Sequence, residues 1–145
     1  MNLRRDEIAF RKNYEALVLD RQLTTVFRPG DRIFPNFRGY KHEEIVTARI
    51  IEKVGCDHRE TPPVFSDIRM SVKIVDIRAI DISALTPGDF LGSSPDIQNV
   101  DQLLDHLAEI YQRPISSYEN KVTRIQLQYL PEVLSSASLS KLISA

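Results

Sequence analysis

Residues 71–80 read SVKIVDIRAI, and their apolar members alternate as a half-buried strand requires until the phase slips between Ile74 and Val75. Side chains of a strand point alternately to its two faces, so such a slip sets two residues against one across the ladder. That is a β-bulge, and bulges let a sheet curl. Residues 44–54 keep one phase throughout, with Val46, Ala48 and Ile50 on one face and Ile45, Thr47, Arg49 and Ile51 on the other. In 121–130, Ile125, Leu127 and Tyr129 share the inward face. Residues 23–27 are rich in β-branched side chains and read as a short strand. Residues 32–37 contain Pro35, which confines them to an edge strand or an extended loop. Five short strands and a bulge call for one small curled sheet.

Helical periodicity occurs in two places. Phe10, Tyr14, Leu17 and Val18 recur at i, i+4, i+7 and i+8, the apolar face of a short first helix. Val100, Leu103, Leu104, Leu107, Ile110 and Tyr111 form a longer stripe. Asn99 is placed to cap it, Gln102 stands where a capping box needs its return partner, and Pro114 lies just past its end. Pro29, Gly30 and Asp31 supply turn chemistry, and 56–66, with two prolines, is expected to be a loop. The serine-rich tail 131–145, with spaced leucines, is expected to form a weak helix on the body. No repeat or low-complexity linker divides the chain, and 145 residues suffice for one domain with a core of its own. The βαβαβ rhythm of a doubly wound sheet is missing. The expected fold is therefore α+β, a single domain over 1–145 with a small curled sheet or mixed β-barrel flanked by helices.

A net charge of −1 excludes a histone-like polycation, so binding to a polyanion must come from local asymmetry. Cys56 is the only cysteine, which excludes an internal disulfide and suits a reducing compartment. The opening MNLRRDEIAF lacks the apolar core of a signal peptide, and no run approaches bilayer length. A cytoplasmic location without a membrane partner is expected. The sequence carries no signal of oligomeric state.

The asymmetry lies in residues 27–41, FRPGDRIFPNFRGYK, where Arg28, Arg32, Arg38 and Lys41 face a single acid, Asp31, and Phe27, Phe34, Phe37 and Tyr40 are interleaved with them. Single-stranded nucleic acid needs cations for its phosphates and flat rings for its bases. The alternative is that the rings are core and the charges a solvated rim. Cys56, Asp57 and His58 lack the further ligands at fixed spacing that zinc requires, and His42 and His106 do not supply them. His106 is expected on the polar side of the second helix. No phosphate-binding, dinucleotide-binding, zinc-protease or nucleophile-elbow motif occurs, so neither metal nor cofactor is expected. One catalytic combination remains. Thr24 and Thr25 lie beside Arg21 and Arg28, and Asp96 precedes the second helix. A hydroxyl nucleophile needs a base, which Lys41 or Asp96 would have to provide because arginine stays protonated. Against this, the threonines also read as plain strand residues and Asp96 as a helix-start residue.

The order of the segments LVLDRQLTTVFR, RPGDRI, EIVTARIIEKV, VDIRAIDISALT, VDQLLDHLAEIY and KVTRIQLQYL resembles the ASCH (activating signal cointegrator homology) domain of the PUA-like superfamily over roughly 8–130. The resemblance implies a small PUA-like β-barrel flanked by helices, with a cleft between barrel and first helix, and RNA binding or processing. Some small bacterial members hydrolyse N4-acetylcytidine with a lysine, a threonine and a glutamate, and others are assigned ribonuclease activity. Their motif after the first helix runs approximately Gly-x-Lys-x-x-Thr-x-Arg. Counted back from Arg28, this chain has Val26 for the threonine, Leu23 for the lysine, and Asp20 or Arg21 for the glycine, while Asp96 falls near the glutamate position. Only Arg28 matches outright. The reading is thus an RNA- or nucleotide-binding module using Arg21, Arg28, Arg32, Phe37, Arg38, Tyr40 and Lys41. A hydrolase built on Thr24, Thr25, Lys41 and Asp96 is the alternative. A regulatory or protein-interaction domain without a nucleic-acid role stands third.

Overall fold

The computed structural model describes residues 3–55 and 61–131. Five strands form one mixed sheet: β1 (Glu7–Arg11), β2 (Thr25–Pro29), β3 (Ile45–Lys53), β4 (Val64–Asp81) and β5 (Lys121–Tyr129). Their spatial order is β1-β3-β4-β5-β2. The β1–β3 pair is parallel and the other pairs are antiparallel. The α-helices are α1 (Glu15–Leu19) and α2 (Val100–Tyr111), with short 3-10 turns around them. The architecture is α+β, with the sheet curled into a half-barrel as the phase slip requires.

The curl is built into β4. Its first part, from Val64 to Lys73, pairs with β3, and its second part, from Val72 to Asp81, pairs with β5. Near Val72 the strand passes from one neighbour to the other, and there its ladder with β5 skips from Ile74 to Asp76. Val75 is therefore the extra residue of a bulge, at the place where the sequence changes phase. Its carbonyl is met by the Nε2 of His42 at 2.9 Å.

Two apolar clusters cover the sheet. Ile8, Val46, Ala48, Ile50, Val72, Ile74 and Ile125 fill the main core. Phe27, Phe90, Ile97, Leu103, Leu107 and Val122 form the second, where α2 lies against β2 and β5. The clusters divide by strand parity. Val26 pairs across from Ile125 and faces the main core, whereas Phe27 pairs across from Arg124 and faces the helix side.

Several sequence expectations change here. Phe10 lies on β1, and the first helix shrinks to the five residues of α1 after a 3-10 turn at Lys12–Tyr14. So short a helix is marginal in water, and parallel pairing of Glu7–Arg11 with β3 wins over the local spacing. Residues 32–37 form no strand; only an isolated bridge joins Ile33 to Tyr40. The sheet keeps five strands because β1 takes the place expected for that segment. β2 begins two residues later than expected, and β4 begins at Val64, inside the expected loop. Residues 56–60 of that loop, with Cys56, Asp57 and His58, and the tail from 132 onward lie outside the described residues. In α2 the Asn99 side chain accepts from the Gln102 amide at 2.9 Å, as expected. The Gln102 side chain, however, accepts from the Gln98 amide at 2.8 Å, one residue before the capping-box position. No helix among the described residues is long and apolar enough to cross a membrane.

Ile125 is fully buried on β5. Ile125→Ala is expected to cost about 2–5 kcal/mol, read as a lowered urea midpoint at unchanged slope.

Candidate functional site

β1 and β2 are the two edges of the sheet, so each carries carbonyls with no strand to receive them. Just before β1 the Asp6 carbonyl bonds the Thr47 amide of β3, so by alternation Glu7 and Ala9 point their carbonyls outward. Just before β2 the Thr24 carbonyl bonds the Leu127 amide of β5, and by alternation the Phe27 carbonyl points outward. One side chain joins these two edges. Arg28 donates from Nη1 to the Phe27 carbonyl at 3.0 Å and from Nη2 to the Ala9 carbonyl at 2.7 Å. Its guanidinium also lies 5.8 Å from the Phe10 ring centroid. The Tyr40 hydroxyl donates to the other outward carbonyl, that of Glu7, at 2.7 Å. The open side of the half-barrel is thus a seam closed by side chains.

The loop carrying Tyr40 is tightly folded. Its ends are tied by Tyr40 N to Arg32 O at 2.8 Å and Phe34 N to Tyr40 O at 2.9 Å. A Cβ on Gly39 would lie 2.7 Å from the Asn36 carbonyl, so only glycine fits there. The Arg32 amide donates to Thr123 Oγ1 at 2.7 Å, and that hydroxyl donates to the Gly30 carbonyl at 2.7 Å, anchoring the loop start on β5.

Beside the seam opens a cavity of ≈ 760 Å³ between this loop, the edges β1 and β2, and α2. Arg4, Arg5, Arg11, Arg28, Arg32 and Arg38 line it, with no aspartate or glutamate among the described wall residues. Arg4 pairs with Asp6 and Arg5 with Glu44. Arg11, Arg28, Arg32 and Arg38 have no carboxylate partner among the described residues. Arg32 lies 5.6 Å from the Tyr111 ring centroid. Burial pushes its pKa down, and the nearby charges of Arg28 and Arg38 add to that. The guanidinium nonetheless stays charged. Arg38 stacks over Phe37 at 5.0 Å.

At the α2 side of the cavity a hydrogen-bonded chain runs through four side chains. Tyr14 donates from its hydroxyl to Asp96 Oδ2 at 2.7 Å, and Ser94 donates to Asp96 Oδ1 at 2.5 Å. Burial pushes the Tyr14 phenol up to about 12, with the Asp96 carboxylate adding to the rise. Burial also acts to raise Asp96, but the bonds from Ser94 and Tyr14 outweigh it and hold the carboxyl below its ordinary range. His106 Nδ1 lies 3.3 Å from the same Tyr14 hydroxyl. That hydroxyl has one hydrogen, already given to Asp96, so Nδ1 is the donor and the ring is the Nδ1–H tautomer. Burial lowers the His106 pKa, Arg28 and Arg11 add to this, and Asp96 opposes it. Nε2 is left as an acceptor without a hydrogen-bond partner among the described residues.

The expected site residues divide accordingly. Arg28, Arg32, Phe37, Arg38 and Tyr40 line the cavity. Lys41 is exposed, with its ammonium 4.4 Å from the Phe34 ring centroid, and it is not a wall residue. Arg21 is exposed just past α1, with φ 59°, and also lies off the wall. The Thr25 hydroxyl is buried and donates to the Leu91 carbonyl at 2.6 Å. Thr24 binds the Gly92 carbonyl through its backbone amide at 3.0 Å. Among the described residues, no hydrogen bond or ion pair joins any two of Thr24, Thr25, Lys41 and Asp96. Sequence reading missed Arg11, Tyr14, Ser94, His106 and Tyr111 as members of the site. His106 is half-buried on the cavity wall rather than on the polar side of α2. Its position, three residues after Leu103 and four before Ile110, places it inside the apolar stripe, and a polar residue there is a usable signal.

No protein-family model and no curated protein matches this chain. The crystal structure of hypothetical protein PH0355 is similar, with a TM-score of 0.50 and 16% identity over 86% of this chain and 97% of that one. At that identity the likeness speaks for the fold, a curled half-barrel sheet compatible with a small barrel.

Lysine at position 28 keeps the charge but lacks the fork that spans both edges. Arg28→Lys is expected to lower stability by about 1.5–3 kcal/mol, the worth of a charge-assisted hydrogen bond, in urea unfolding. Unchanged stability would remove the seam from the account.

Proposed function

We propose that this protein is an ASCH-type module of the PUA-like superfamily that binds single-stranded RNA or a nucleotide in the cavity beside the Arg28 seam. The observation that carries this reading is the charge of the wall. A chain of net charge −1 gathers six arginines around one cavity without a carboxylate among the described wall residues. Like charges repel, and water alone is a poor partner for a half-buried guanidinium such as Arg32. A phosphate satisfies such forks two bonds at a time. Rings are at hand for bases: Phe37 is 82% exposed at the loop tip, next to Arg38, and Tyr111 faces Arg32.

The resemblance drawn from the sequence supports the reading with one difference: it implies a cleft against the first helix, whereas the cavity lies against α2, with Tyr14 just before α1 on its wall and no residue of α1. The hydrolase alternative has less support. Leu23 and Val26, at the positions of the family's lysine and threonine, are apolar wall residues, 4% and 6% exposed. Neither can supply a base or a nucleophile. A protein-interaction role would use the same wall only with an acidic partner segment, whose carboxylates also satisfy arginine forks.

Fluorescence polarisation with a labelled single-stranded RNA at low salt tests the reading. Binding is expected, weakened by Arg32→Ala and by Arg38→Ala, and weakened by about 1–3 kcal/mol by Phe37→Ala through loss of stacking. Arg78→Ala, which removes an exposed arginine paired with Asp76 and absent from the wall, should leave binding unchanged. No binding at high protein concentration, or equal loss in all four variants, would contradict the proposal.

A further inference from the structure

The hydrogen-bonded chain Asp96–Tyr14–His106 has no part in holding the phosphate-binding arginines, yet it ends on the cavity wall. We infer that His106 is a specificity-determining residue that reads the ribose 2′-hydroxyl, so that the cavity prefers ribonucleotides over deoxyribonucleotides. The inference rests on the nucleic-acid reading and adds the class of sugar to it.

The geometry works in three steps. Asp96 is held by Ser94 at 2.5 Å and takes the only proton of the Tyr14 hydroxyl at 2.7 Å. The Tyr14 oxygen can then only accept, and it fixes His106 as the Nδ1–H tautomer. Nε2, on the far side of the ring from Nδ1 and without a hydrogen-bond partner among the described residues, is consequently left as an acceptor on a residue of the cavity wall. A phosphate oxygen has no hydrogen to offer it, so the group it meets must carry an O–H or N–H.

Position selects the hydroxyl. His106 lines the same cavity as Arg28 and Arg11, the cations offered to phosphate. The donor next to a phosphate along a nucleic-acid strand is the ribose hydroxyl, and DNA lacks it. The rings suited to bases lie elsewhere on the wall, at Phe34 and Phe37 in the loop and at Tyr111 near the end of α2. Tyr14 acts through His106 and is a positioning residue. Its removal should weaken the preference for the ribose strand.

The test uses a short fluorescein-labelled oligoadenylate and its deoxy counterpart, titrated by polarisation against the full chain at low salt. The ribo strand is expected to bind about five-fold more tightly, the worth of one ordinary hydrogen bond. In Tyr14→Phe the ring is free to take either tautomer, and in His106→Leu the acceptor is gone from a position within the apolar stripe. His106→Leu should bring the ribo-to-deoxy ratio to about one and Tyr14→Phe should lower it part of the way, with circular dichroism checking that each is folded. Equal affinity of the native protein for the two strands overturns the inference, as does a preference that survives both substitutions. Failure of the native protein to bind either strand overturns the nucleic-acid reading itself and this inference with it.

Discussion

The two hydrogen bonds of Arg28 are the constraint on which the molecule's geometry turns. A half-barrel has two free edges, and each exposes carbonyls that no strand receives. A further strand or a longer turn would close the gap in other ways. Here a guanidinium spans it, from the Phe27 carbonyl on β2 to the Ala9 carbonyl on β1, and Tyr40 takes the remaining Glu7 carbonyl. The planar fork with several donors suits this task in a way that a single ammonium does not. Closure by side chains leaves space beside the seam, and that space is the cavity.

This form of closure carries an electrostatic consequence. Putting one fixed cation at the seam raises the cost of others nearby, yet the same wall holds Arg11, Arg32 and Arg38 without carboxylate partners among the described residues. Structural stability alone favours neutralising such a cluster, as Glu7 does for Arg49 at 2.7 Å on β1 and β3. Burial acts to raise the Glu7 carboxyl, but the Arg4 amide and Arg49 outweigh it and hold it below the usual range. The protein thus pairs Arg49 with Glu7, and the buried Arg124 with Asp76 and Asp89, and leaves arginines of the cavity wall without carboxylate partners among the described residues. The anionic ligand proposed above would account for that contrast.

Much of the scaffold was legible in the sequence because it rests on periodicity. The single phase of β3, the slip at Val75, the stripe and cap of α2 and the inward face of β5 all follow from residue spacing that packing then obeys. The errors lie where pairing between distant segments decides. Phe10 shares a helical spacing with Tyr14, but Glu7–Arg11 finds β3 and becomes a strand. The loop 32–40, with Pro35, donates Tyr40 to the seam instead of adding a strand. The site was half legible. Alternating cations and rings located one wall, whereas Tyr14, Ser94 and His106 come from three separate segments and meet only when α2 docks. Lys41 and Arg21 carry the right chemistry, but the backbone turns them away from the wall.

The salt dependence of RNA affinity tests the central claim most directly, because it reports how many phosphates the wall neutralises. With phosphates on Arg28, Arg32 and Arg38, the plot of log affinity against log salt for a single-stranded RNA should fall with a slope of about −2. A flat plot would mean that no phosphate replaces counterions at these arginines, and it would contradict the account.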